Sequence, residues 1–262
     1  TTQSSQAKLD NPLSHTLGNG LLPGLLGELQ QDPPSEFSQT GIDRVATLYV
    51  KQPNGKLVLA AGHDITLTAA QVQSQGSASL QAGNDIELGT VTTERTTNLN
   101  FDRNNYNHSA SSKDVGSSIT AANNLSINAG NDLNAKAATV QAGGALDVNA
   151  GHNILIQAGE DKQSSASASR ATSSGLFSSS TTVHQDSSST TTAIGSSFSG
   201  KSVTMDAGRD LGLKGSSVLA DTDIQITAAN NVHIEAAQNT ATQNSYSKTS
   251  ESGLLGSGGS LL

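Results

Sequence analysis

Few residues in this chain have types and spacing that could do chemistry. Asp64, Asp85, Asp132 and Asp210 each stand two residues after a glycine, and acidic turns of that kind are where a hard cation such as calcium would find oxygen ligands. A calcium site needs carboxylates converging from adjoining turns, whereas here one Asp occupies each corner, alternating with Asn124, Asn153 and Asn231. That pattern fits a corner or side-chain ladder. His63, His152 and His233 fall where they should face solvent, with no His-x-x-x-His spacing and no clustered carboxylates to complete a metal site. Asp206, Arg209, Asp210 and Lys214 form the densest charged group and the nearest approach to the acid/base cluster of a polysaccharide lyase or hydrolase. An ordinary surface ion pair explains it equally well. No Gly-x-x-x-x-Gly-Lys phosphate loop occurs. With Cys 0, there is no disulfide, thiolate zinc site or cysteine nucleophile. The chain is therefore expected to be non-enzymatic, with no catalytic residue, cofactor or metal.

Composition narrows the classes further. The 262 residues carry Lys+Arg 14 against Asp+Glu 22, a formal net charge of −8. Such a balance lacks the basic footprint of a nucleic-acid binder, so no nucleic-acid partner is expected. No apolar run approaches the roughly 18 residues of a membrane-spanning helix. Aromatic residues are only 3% and Trp is absent, which argues against one large globular core. The chain starts at Thr1 without a charged-then-apolar leader and reads as a segment of something longer.

The elements that must position these residues come from an internal repeat. Octads begin at residues 53, 61, 74, 82, 121, 129, 142, 150, 199, 207, 220 and 228, and all twelve place an apolar residue at their fifth and seventh positions. Leu57/Leu59, Ile65/Leu67, Leu125/Ile127, Val203/Met205 and Val232/Ile234 are examples. Apolar, any, apolar is the period-2 signature of a short strand with one buried face. Within each group of four the steps are 8, 13 and 8, so a five-residue connector with Val at its fourth position (Val72, Val140, Val218) separates the second and third octads. The period is 8 + 5 + 8 = 21 residues. Three short sides and two or three Gly/Ala/Asn corners per period predict an all-β parallel β-helix with 21-residue coils. One coil cannot bury its apolar face alone; stacked neighbours supply the missing core and ladder bonds.

Coils are expected at 53–89, 121–157 and 199–235, and insertions at 90–120, 158–198 and 236–262, all standing where a connector should be. The insertions then leave one edge of the rod, two coils or about 10 Å apart. Ser and Thr dominate the second. Yet Ser174-Gly175-Leu176-Phe177 and Ser252-Gly253-Leu254-Leu255 both start 17 residues after their group ends (157 + 17, 235 + 17), which marks a repeated, β-hairpin-like element. Residues 1–52 read as the tail of a preceding insertion and a loop capping the first coil, with Arg44 to Val50 strand-like. Inside the polar insertions, Phe101, Tyr106, Leu176, Phe177, Phe198, Tyr246, Leu254 and Leu255 are the candidate contact residues, able either to pack on the rod or to touch a partner.

The phrases QAGNDIEL, AGNDLNAKAATVQAGGALDVNAGHNILIQAG and AGRDLGLKGSSVLADTDIQITAANNVHIEAAQN resemble the haemagglutinin repeats of filamentous-haemagglutinin exoproteins. VTTERTT, EAAQNT and the Ser/Thr-rich interruptions are similar to the second repeat region of CdiA-type contact-dependent growth inhibition proteins. The resemblance covers residues 53–262. It implies a right-handed β-helical stalk on a Gram-negative cell and export through a two-partner secretion outer-membrane transporter. In the CdiA branch it implies transient periplasmic retention and later transfer to the target cell's outer membrane, where the region helps a C-terminal toxin cross. The alternative is an adhesin segment for host or cell–cell attachment and biofilm. Self-association through rod ends or insertions is a further expected contact.

Overall fold

In the computed structural model the described residues are Thr2–Leu9 and 34–253. They contain twenty-five strands and no helix. In chain order, β1 (Thr2–Leu9) and β2 (Ser35–Ile42) precede a first coil of β3 (Thr47–Val50), β4 (Lys56–Ala61) and β5 (Ile65–Thr68). A second coil follows: β6 (Gln71–Ser74), β7 (Ser77–Ala82) and β8 (Ile86–Gly89). The hairpin β9 (Val91–Asn100) and β10 (Tyr106–Val115) comes next. Two more coils are β11 (Ser118–Ala121), β12 (Leu125–Ala129), β13 (Leu133–Lys136), then β14 (Thr139–Ala142), β15 (Ala145–Ala150), β16 (Ile154–Gln157). A longer hairpin, β17 (Gly159–Ser174) and β18 (Ser178–Ile194), leads to the last two coils. These are β19 (Ser197–Gly200), β20 (Ser202–Ala207), β21 (Asp210–Lys214) and β22 (Ser217–Ala220), β23 (Ile224–Ala228), β24 (Asn231–Glu235), followed by β25 (Thr240–Gly253).

The coils stack as three six-stranded sheets, ordered β22-β19-β14-β11-β6-β3, β23-β20-β15-β12-β7-β4 and β24-β21-β16-β13-β8-β5. Every pairing in them is parallel and like residues lie over like: Leu57 on Ala78, Leu125 on Leu146, Val203 on Ile224, each 21 positions on. The three sheets are the walls of a parallel β-helix. Alternation along each strand sends one set of side chains inward, and columns such as Leu80, Ile127 and Val148 are fully buried. The interior is narrow and continuous, and its largest occupants are Leu, Ile, Met and one Phe. Its end coils are only partly covered, with Leu48, Ile224, Val232 and Ile234 exposed.

Two corners differ from expectation in an informative way. Each hairpin leaves the rod before the third side instead of replacing it; the last residues of the insertions return as β11 and β19. Phe198 is consequently no insertion contact. It lies on Val140 and Val218 in the core, fully buried. Gly-Ser-Ser precedes Ile119, Phe198 and Val218 alike, and that motif marks the third side. Where no hairpin intervenes, the corner residue takes a left-handed conformation: Ala69 (φ 47°), Ala137 (φ 46°) and Gly215 (φ 55°). In the neighbouring coils buried Ser117 and Ser196 close these corners. The Ser117 hydroxyl accepts from Ala70 N–H (3.2 Å) and donates to Leu67 C=O (2.8 Å); Ser196 accepts from Ala138 N–H (2.9 Å) and donates to Gln157 C=O (2.8 Å).

Residues 1–52 also divide. β1 and β2 pair antiparallel and β2 joins β9, while β3 is the first third-side strand and pairs with β6. The Leu21–Leu26 stretch lies outside the described residues. Because Phe198 fills the one aromatic place in the core, Phe198→Ala should cost about 3–5 kcal/mol through the cavity it leaves, read as a lowered urea midpoint with unchanged slope.

Candidate functional site

The hairpins join. Strands β1-β2-β9-β10-β17-β18-β25 form one seven-stranded antiparallel sheet beside the rod. Stacked coils rise about 4.8 Å each, so two coils advance as far along the axis as two adjacent strands of a sheet. One two-stranded hairpin every second coil therefore tiles without gap or overlap. Thr/Ser-rich strands suit this sheet because their hydroxyls pair across it: Ser165 with Ser188 (2.8 Å), Thr172 with Thr181 (3.1 Å) and Thr182 with Thr249 (3.3 Å). Both faces are largely exposed, as the burial of β17, β18 and β25 shows. Among the described residues no second layer covers either face.

The β17–β18 hairpin projects six residues beyond the end of its partner β10, and Asn105 Oδ1 accepts from Arg170 N–H (2.7 Å) where the shorter hairpin stops. At its tip Gly175 N–H donates to Ser178 C=O (2.7 Å), leaving Leu176 and Phe177 as the turn residues, 90% and 67% exposed. Two-residue turns ordinarily carry Asn, Asp or Gly, so two large apolar residues there break the local rule. Phe101, also 67% exposed, stands at the tip of the β9–β10 hairpin beside an Asp102 whose carboxyl is held below its ordinary range by bonds from the Asn105 side chain and Asn104 N–H. Tyr106 stacks on His108 at 4.5 Å and is half-buried; Tyr246 is exposed on β25. Tyr106, Ala168, Gln185 and Tyr246 form one cross-strand row. The structure thus brings Phe101, Tyr106, Leu176, Phe177 and Tyr246 to the sheet and its tips and removes Phe198 from the group. Leu254 and Leu255 lie outside the described residues.

At its base the sheet is tied to the rod through Asp114, a residue that sequence reasoning missed for lack of any local motif. Its carboxylate meets Lys136 Nζ of β13 (2.8 Å), accepts from the Thr92 hydroxyl of β9 (2.7 Å) and accepts from Glu160 N–H of β17 (3.1 Å). One side chain thereby links both hairpins and the rod. Burial pushes this carboxyl up, but the combined pull of Lys136, Thr92 and the Glu160 amide outweighs it and holds the group below the ordinary range.

The corner aspartates form a ladder. Asp64 Oδ1 accepts from Asn84 Nδ2 (2.9 Å) and Asp85 N–H (3.1 Å); Asp85 Oδ1 accepts from Asn131 Nδ2 (2.8 Å) and Asp132 N–H (3.0 Å). Asp132 does the same for Asn153, and Asp210 for Asn231. The backbone bond from Asp85 and the side-chain bond from Asn84 hold the Asp64 carboxyl below its usual range; bonds from Asn231 and Asn230 do so for Asp210. No group of three potential metal ligands gathers among the described residues. His63, His152 and His233 are exposed, and His233 lies 3.2 Å from Glu235, which Lys214 also reaches at 3.0 Å. Arg209 sits 3.3 Å from Asp210, so the charged group around Asp206 resolves into two separate ion pairs.

Asp114→Ala is expected to destabilise the protein by about 1–3 kcal/mol at neutral pH. Because the folded-state pKa is depressed, that contribution is present above the unfolded value of about 3.9 and is lost as pH falls through the folded value. Urea titrations of wild type and variant should therefore converge in acid. Asp85→Asn keeps the ladder acceptor and removes a charge stacked between Asp64 and Asp132, so its thermal midpoint should equal or exceed wild type, whereas Asp85→Ala should lower it.

A family model described as hemagglutinin repeat matches residues 49–104 and 99–252. The chain is 48% identical over 65 residues to the 16S rRNA endonuclease CdiA of Enterobacter cloacae subsp. cloacae, and 45% identical over 65 residues to the tRNA nuclease CdiA of Escherichia coli strain 536. Each match covers 25% of this chain and 2% of the relative, so the shared segment is a small fraction of those proteins. No solved structure matches.

Proposed function

Since the chain belongs to the hemagglutinin-repeat family, we propose that it is a non-enzymatic stalk segment of a two-partner-secreted exoprotein, one that helps a C-terminal toxin reach and cross the outer membrane of a target bacterium. The matched relatives are named as nucleases; in this segment Asp85, Asp114, Arg209 and Lys214 serve a corner ladder, a sheet anchor and surface pairs. A transporter in the producing cell's outer membrane is the expected export partner, and the surface of a Gram-negative cell the expected location.

The observation that carries the reading is the pair of apolar residues at a turn that has no structural use for them. Leu176 and Phe177 are held far from the core by two long strands, and burying them in an apolar phase would return roughly 1.5–3 kcal/mol each. A row of polar excursions with apolar tips fits insertion into, or seating on, an outer membrane. Attachment of the producing cell to other surfaces, the adhesin reading, draws on the same exposed sheet.

In a full-length parent, Leu176→Ser with Phe177→Ser should cut toxin delivery at least tenfold while leaving surface display unchanged, measured by competition against susceptible cells. Removing Glu160–Ala193 should do the same and leave the coil intact, because Ser196 and Phe198 stay in place. Delivery at wild-type level in both variants would overturn the role of the tips.

A further inference from the structure

The two faces of the hairpin sheet are not equivalent. Residues directly opposite across an antiparallel pair point to the same side, so the registers assign each side chain to a face. One face carries Asp114 and Glu160, and at its base it abuts Lys136 and Lys214 of the rod. The other face turns away from those lysines. It holds Arg95 opposite Ser111, Ser111 opposite Gln163, Lys113 opposite Asp161 and Ser167 opposite Asp186.

Charge on that outer face is divided by strand. Its cations, Arg95 and Lys113, stand on β9 and β10; its anions, Asp161, Asp186 and Glu251, stand on β17, β18 and β25. None of these five makes a salt bridge among the described residues, and Arg95 instead rests over the Phe37 ring at 5.2 Å. The boundary falls between β10 and β17, where small Ser109, Ser111 and Ser165 form a floor. Two shallow hollows of about 340 and 390 Å³ open over that floor, share Arg95, Ser111 and Gln163, and are lined by sheet residues alone.

We infer that this outer face is a self-association surface: two copies of the chain pack their hairpin sheets face to face about a dyad parallel to the strands, β10 of each copy over β17 of the other. The dyad sets Lys113 of one copy against Asp161 of its mate, twice, and lays β9, with Arg95, over β18 of the mate, with Asp186 four residues along from it. The small serines let the sheets approach to the ordinary spacing of about 10 Å. The six strands β2 to β25 that overlap, about 4.8 Å apart and about eight residues long in the overlap, present roughly 800 Å², which is the area per partner of a standard stable interface. Other occupants fit less well. The strands beneath the hollows are paired on both sides, so they have no ladder groups to offer an added peptide strand, and the face is too polar for lipid. The inference does not depend on toxin delivery.

The test is sedimentation velocity of the 262-residue chain over a range of concentration and salt, with circular dichroism to verify that each variant is folded. The wild type should show a reversible monomer–dimer equilibrium that weakens as salt rises. Arg95→Glu with Lys113→Glu, and separately Asp161→Lys with Asp186→Lys, should each weaken it at least tenfold, and mixing the two variants should restore a heterodimer. A wild type that stays monomeric at its solubility limit would overturn the proposal. So would dimers indifferent to both reversals, including dimers lost instead on Ile234→Lys at the exposed end of the rod.

Discussion

The spacing between hydrogen-bonded strands governs this molecule twice over. Parallel strands stack at about 4.8 Å along the rod, and antiparallel strands lie side by side at the same spacing in the hairpin sheet. Two coils and one hairpin therefore advance the chain by equal distances. A hairpin after every coil would crowd the sheet and a hairpin after every third would leave it broken; one in two gives continuous ladders in both. Everything else in the structure accommodates that equality. The hairpin must leave at a fixed corner, the corner must be closed behind it by Ser117 or Ser196, and the sheet must be tied down where the two lattices meet, at Asp114.

The coils were legible because each strand repeats the same local pattern and each corner needs the same small or amide residues, so the two kinds of information agree at every turn. The aspartate corners were legible for the same reason: Asn124 stands where Asp64, Asp85, Asp132 and Asp210 do, and its Oδ1 accepts from Ala145 N–H as Asp132 Oδ1 accepts from Asn153 N–H. Phe198 was misplaced because its coil is one residue shorter at the next corner: Phe198 to Val203 is five residues, against six from Val218 to Ile224. The Gly-Ser-Ser triplets, which precede Ile119, Phe198 and Val218 alike, are the signal in the sequence that puts Phe198 on the third side.

The joining of the insertions into one sheet was not legible. Strands polar on both faces have no buried side to fix their register, and a run of Ser and Thr gives no signal of which neighbour it will meet. The register comes instead from where the rod delivers each hairpin. Tertiary geometry supplies what side-chain pattern normally supplies, which leaves the two faces free to carry different charges without disturbing the fold.

The seven-stranded sheet also bears on how the segment responds to force. Strands in a β-helix run across the rod, so tension along its axis is carried by ladder hydrogen bonds in line with the pull, three short rows per coil. The hairpin sheet lies with its own ladders along the same axis and adds a fourth row in parallel, its strands eight to seventeen residues long where the others have four to six. A load that would open one coil must then also pull a pair of long strands away from each other. The polar excursions, which contribute almost nothing to the core, act as a brace along the length of the rod.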